Sequence, residues 1–267
     1  MAVPGPSAMP AWAGTVFDKH LQVGKEYLLA AKFEMALKEF DAALRISPGD
    51  ANALVERGTA YNGLGKYDLA IKDFSSAIQA TPQNYLAYNN RGVAYFRKLE
   101  LKRALQDLDK ALSINADDPV AYLNRAGVAL CDGSGIVSAR KIEAWLKRTA
   151  WRDRYACHAA VLAAYGFKQG GDTKAYQEII DQALKRTDRL LWPYPVLRYL
   201  KGTLKDKSEL LHEAEESDYD STQAHCFIGL DLVLKGKTEM ARPHFEWIVK
   251  HGIQNSVEYW IARGMKI

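Results

Sequence analysis

The sequence predicts an all-α fold, a right-handed superhelical solenoid of antiparallel helix pairs. Three observations predict it. Residues 51–84 and 85–118 are two 34-residue copies in tandem: Leu54 matches Tyr88, Gly58 matches Gly92, Tyr61 matches Tyr95, Ala70 matches Ala104, Phe74 matches Leu108 and Ala77 matches Ala111. Self-similarity at a fixed period of this length marks a repeat array, in which each unit buries a face that it cannot cover alone. Second, small residues (Gly58, Gly92, Ala70, Ala104) recur where two helices must approach to the usual ~8–10 Å, with large ones beside them to fill the space. Third, Pro48 and Pro82 close their repeats, since proline cannot continue a helix.

The elements follow in order. Residues 1–16 are expected to be a flexible leader rich in Pro and Gly, with neither the basic start nor the apolar run of a secretory signal. Residues 17–118 form three regular units, and the first keeps Gly24, Tyr27, Ala36, Phe40 and Ala43 at the shared offsets. Residues 119–191 are degenerate repeats. They hold a first helix over 120–130, a glycine-rich connector at 131–135, a second helix over 137–149 and a further pair over 151–169 and 172–186. The connector lacks the preceding strand and the Gly-Lys-Ser/Thr sequence of a phosphate loop. Residues 192–267 carry short helices broken by Pro193 and Pro195, a cap at Asp206 with Glu209, a final unit over 222–255 and a closing helix over 256–267. That last helix is expected to cover the end of the stack.

Composition bounds the function. The 267 residues are 48% hydrophobic and 25% charged, as in ordinary globular chains, and no run of 18 apolar residues could span a membrane. As written, this places the chain in the cytoplasm; a signal removed from a longer native start would place it in the cell envelope or periplasm. The net charge is +4, and most of the excess lies in residues 131–191, in the run Arg140, Lys141, Lys147, Arg148, Arg152 and Arg154. Glu143 and Asp153 interrupt that run, which reads as a solvated helix face before it reads as an anionic-surface or nucleic-acid site. Cys131, Cys157 and Cys226 are odd in number and widely spaced, so they form no disulfide framework. No metal site is expected from Cys157-His158 or His225-Cys226, because adjacent helical residues point about 100° apart. No nucleophile elbow and no HExxH spacing occurs. The expectation is a protein without catalytic residues and without a cofactor.

The order large aromatic, Gly, Tyr, Ala, Phe, Ala resembles the tetratricopeptide repeat. In that family the first helices line a concave face, and the resemblance implies contact positions there at Lys25, Asn52, Glu56, Asn62, Asn89, Asn90, Phe96, Arg97 and Asn124, and also at Leu28, Thr59, Leu123 and Cys131. It implies an adaptor or scaffold that holds an extended peptide or a partner protein in this groove. The carboxylate clamp of chaperone-binding members is absent, because Glu56 and Asn90 stand where it needs other residues. Asn90 and Asn124, with Asn89 alongside, instead resemble a rung pair of the asparagine ladder of the O-linked N-acetylglucosamine transferase superhelix. A row of amides can pair with any peptide backbone, or can bridge successive repeats. The segment WPYPVLRYLKG, the short helix after it, the final unit and Glu258-Tyr259 look like the C-terminal half of NlpI-type bacterial lipoproteins, which are non-enzymatic envelope adaptors that tend to dimerise. Trp192, Tyr194, Trp247 and Trp260 are the corresponding candidates for a homodimer contact.

Overall fold

The computed structural model describes residues 11–204 and 206–265. Fifteen α-helices and no strand occur among them. The chain falls into two compact units, Met1–Lys98 and Leu99–Ile267, each with its own core.

The first unit holds α1 (Ala11–Leu29), α2 (Phe33–Ile46), α3 (Ala51–Gly63), α4 (Tyr67–Ala80) and α5 (Tyr85–Arg97). Residues 1–10 of the expected leader lie outside the described residues. The other six are helical instead, and no proline between Pro10 and Pro48 stops α1 from extending to Ala11. Side chains start α3 and α5: Asp50 Oδ1 accepts from the Ala53 N–H at 2.8 Å, and Asn84 Oδ1 from the Ala87 N–H at 3.1 Å. Each satisfies a donor that the first turn would leave open. Gly24 and Gly58 are required by close approach. A Cβ built on them would lie 2.5 Å from the Phe40 ring and 2.7 Å from the Phe74 ring. Both rings are wholly buried, and Ala43, Ala70 and Ala77 share the Phe74 core. Arg57 ties α3 to α2 and α4: its Nε and Nη2 donate to Asp73 at 2.7 and 2.8 Å, and its Nη1 donates to Asp41 at 2.8 Å.

The second unit runs from α6 (Leu101–Ile114) and α7 (Pro119–Asp132) to α8 (Gly135–Arg148), α9 (Ala156–Gln169) and α10 (Thr173–Leu184). Then come α11 (Tyr194–Lys201), α12 (Lys207–Glu213), α13 (Asp218–Leu234), α14 (Thr238–His251) and α15 (Val257–Gly264). Gly133, at φ 84°, makes the turn between α7 and α8, so the glycine-rich stretch is a connector. Helix α9 begins at Ala156 rather than at 151. Ala150 and Trp151 turn the chain at φ 51° and 62°, and Asp153 Oδ1 takes the Tyr155 N–H at 2.7 Å. Asp206 caps α12 by accepting from the N–H groups of Ser208 and Glu209.

The closing helix reaches back along the chain. Helix α15 packs against α7 as well as α13 and α14, and Glu258, Tyr259, Trp260, Ile261 and Ala262 are all buried. Arg263 stays exposed, so the helix is amphipathic and lays its apolar face on these three helices. A polar chain runs toward it. Trp192 Nε1, which can only donate, bonds Gln223 Oε1 at 2.5 Å, and this turns the Gln223 amide nitrogen toward His158 Nδ1 at 3.3 Å. His158 Nε2 stands 3.0 Å from Glu258 Oε1, outside hydrogen-bond geometry.

Candidate functional site

In the first unit α1, α3 and α5 are successive neighbours, so the first helices of the repeats share one face. A hollow of about 430 Å³ opens on it, lined by Lys25, Leu28, Leu29, Phe33, Glu56 and Thr59. Its floor is apolar. Leu29, the last residue of α1, is 90% exposed. Lys25 Nζ stands 3.5 Å from Glu56 Oε1 at the rim, leaving a charge of each sign beside an apolar seat. Binding sites commonly combine such a floor with a few placed polar groups.

Beyond the hollow, a chain of amides braces α3 to α5. Thr59 Oγ1 donates to the Val55 carbonyl at 2.8 Å and accepts from Asn90 Nδ2 at 3.3 Å. Asn90 Oδ1 accepts from Asn89 Nδ2 at 3.0 Å, and the Asn90 carbonyl accepts from Asn62 Nδ2 at 3.4 Å. Arg97 Nη1 donates to the Asn62 carbonyl at 2.8 Å, and burial pushes this guanidinium down from its ordinary value. The structure thus brings Lys25 and Glu56 together at the hollow, and joins Asn62, Asn89, Asn90 and Arg97 in the brace. Asn62 and Asn89 are buried, so their amides serve the fold. Phe96 is buried in the core and presents no surface to a ligand. Asn52 is exposed at the start of α3. Asn124 is half-buried on α7 of the second unit. Leu29 and Phe33 were not among the expected contacts, because they lie at the turn between the helices of the first repeat. The pair Leu28-Leu29, one leucine more than the amphipathic stripe needs, was the available signal.

Four of the six residues of the basic run are matched by carboxylates within the second unit. Arg140 pairs with Glu143 at 3.0 Å and with Asp172, Lys141 with Asp109 at 3.2 Å, Lys147 with Glu143 at 2.8 Å and Arg148 with Asp117 at 2.7 Å. Arg154 lies over the Tyr155 ring. The aromatic anchors are engaged too. Trp192 bonds Gln223, Trp247 stacks on His225 with ring centres 4.1 Å apart, and Trp260 is buried with its Nε1 on the Gln254 carbonyl.

Comparison with known proteins decides the repeat type. A TPR repeat model matches residues 58–98, and a tetratricopeptide repeat model matches residues 85–118. The chain carries tetratricopeptide repeats. Among solved structures, a tetratricopeptide repeat protein from Parabacteroides merdae ATCC 43184 is similar at TM-score 0.60 and 16% identity, over 94% of this chain and 98% of that one. PilF of Pseudomonas aeruginosa aligns at TM-score 0.56 and 14% identity, over 92% of this chain and 96% of its own. YrrB, a tetratricopeptide repeat protein with an unusual peptide-binding site, aligns at TM-score 0.54 and 18% identity, over 74% of this chain and all of its own. These likenesses concern the fold. No curated protein matches. Among the described residues, no helix is long and apolar enough to cross a membrane.

Proposed function

We propose that the chain is a non-catalytic adaptor whose first unit holds an extended segment of a partner protein on the face of α1 and α3. The observation that carries this reading is the hollow beside Leu29, an open apolar seat on the face built from first helices. A bulky apolar side chain of the partner enters it, and Lys25 and Glu56 at the rim meet polar groups on either side. Asn52 extends the contact along α3. The Asn90 brace holds α3 and α5 in register, so the face is formed before the partner arrives and little ordering is required on binding. The peptide-binding site named for YrrB supports the class of function. The internal pairing of the basic run argues for a protein partner over an anionic surface, since charges already matched by carboxylates have little field left to offer.

Selection of a random-sequence phage-displayed peptide library on the full chain tests this. The expected outcome is enrichment of peptides sharing one large apolar residue, with recovery abolished on the Leu29→Asp variant. Equal recovery on both proteins would move binding away from the hollow.

A further inference from the structure

The second unit carries a hollow of about 580 Å³ where the segment before α11 faces the turn between α12 and α13. Its floor is aliphatic and aromatic: Leu190 is 93% exposed, Leu191 is also exposed, and Trp192 lies beside them. Two adjacent leucines left in water are unusual beside a concave surface, and contiguous apolar exposure marks contact sites. The floor is also held in place. Trp192 is fixed through its Nε1 to Gln223, which is itself fully buried.

The rim is mainly acidic, with four carboxylates and one guanidinium. Glu213, Glu215, Glu216 and Asp220 line it, against Arg189 and His212. Glu213 is taken by Arg198 at 3.0 Å, and Glu215 by His212 at 3.3 Å. No cation lies within ion-pair distance of Glu216 or Asp220 among the described residues. Two carboxylates thus stand unmatched over an apolar seat in a chain whose net charge is +4.

We propose that this hollow is a second docking site, independent of the first-unit groove, and that it takes a basic peptide segment of a partner protein, with a bulky aliphatic side chain flanked by Lys or Arg. The aliphatic group covers Leu190, Leu191 and Trp192, and the cationic groups reach Glu216 and Asp220. Charge complementarity selects this occupant. Carboxylates repel the phosphates of nucleic acid and of anionic lipid. The densest basic stretch of this chain, Arg140 to Arg148, is already paired with its own carboxylates, so a second copy has no free cationic patch there to offer.

The test uses two fluorescein-labelled peptides of equal length, one alternating Lys and Leu and one alternating Glu and Leu, titrated with the full chain and read by anisotropy. Leu side chains of either peptide can also enter the first-unit hollow, so the readout is preference: the Lys/Leu peptide should bind at least tenfold more tightly than the Glu/Leu peptide. The positive net charge of the chain disfavours unspecific capture of the former. Glu215→Lys with Glu216→Lys, both exposed, should weaken the Lys/Leu peptide at least tenfold, with helicity by circular dichroism unchanged. Leu190→Ser with Leu191→Ser should weaken it comparably and gives an independent route should the charge reversal disturb the turn. Leu29→Asp should leave that preference for the Lys/Leu peptide unchanged, which separates this site from the first-unit groove. Equal binding of the two peptides, insensitivity to both double variants, or loss of the preference with Leu29→Asp would overturn the proposal. So would a dimer, seen by light scattering, that either double variant dissolves.

Discussion

Gly58→Ala sets two effects of known size against each other. Alanine improves the helix propensity of α3 by about 1 kcal/mol. Its methyl, however, would stand 2.7 Å from Phe74 Cε1 and 3.0 Å from both Cδ1 and Cζ, and the Phe74 ring is fully buried among Ala43, Ala70 and Ala77. The ring cannot withdraw without moving α4, and overpacking of this kind costs roughly 1–3 kcal/mol. Packing outweighs propensity, and a net loss of about 1 kcal/mol is expected. A double-mutant cycle sharpens the test. Phe74→Leu alone removes the clashing ring edge at a modest cost, and in its presence Gly58→Ala should become neutral or stabilising, a coupling of about 1 kcal/mol or more. Hydrogen exchange of the α3 and α4 amides, followed by mass spectrometry in the full chain, reads this directly. The single variant should exchange severalfold faster, and the double variant should recover. Slower exchange in Gly58→Ala alone, or strict additivity, would refute the claim that ring contact demands the glycine.

Two further predictions concern charge. Arg57→Met leaves Asp73, only 4% exposed, without its bidentate partner, and should cost about 2–3 kcal/mol in urea unfolding; a loss no larger than the ~0.5 kcal/mol of an ordinary surface change would contradict that assignment. In the second unit, His225 and His244 face each other with their Nδ1 atoms 3.1 Å apart, and burial first, then in the case of His225 its neighbour His244, pushes both down to about 4. The unfolded chain binds these protons near pH 6.5 and the folded chain only near 4, so stability should be full above pH 6.5 and fall as pH drops from 6.5 toward 4. A urea midpoint that falls as steeply over that window in His225→Gln/His244→Gln as in the wild type would show that other groups set the slope.

Much of the first unit was legible because one physical constraint repeats: a glycine facing a phenylalanine at each helix crossing recurs in residues 17–84, and again as Gly229 against Phe245. Caps such as Asp206 were readable from short-range chemistry. The start of α9 was not, since the turn at Ala150 and Trp151 puts two residues with Cβ atoms at positive φ and leaves no glycine to announce it. The amphipathic character of α15 was legible, with Arg263 left exposed, whereas its contact with α7, more than a hundred residues back in the chain, was not. The candidate site was legible by face but not by role. Repeat offsets placed Asn62, Asn89 and Asn90 on the first helices, whereas whether an amide turns outward or toward the next helix depends on a partner such as Thr59, thirty-one residues from Asn90. Leu29 and Phe33 lay outside the periodic positions altogether.

The central claim is that the hollow beside Leu29 seats an apolar side chain of a partner segment. Fluorescence anisotropy of one library-selected peptide against the wild type, Leu29→Asp and Lys25→Glu tests it most directly. A loss of at least tenfold in affinity for Leu29→Asp, with a smaller loss for Lys25→Glu and unchanged helicity in both, is the predicted result. Wild-type affinity in Leu29→Asp would contradict it.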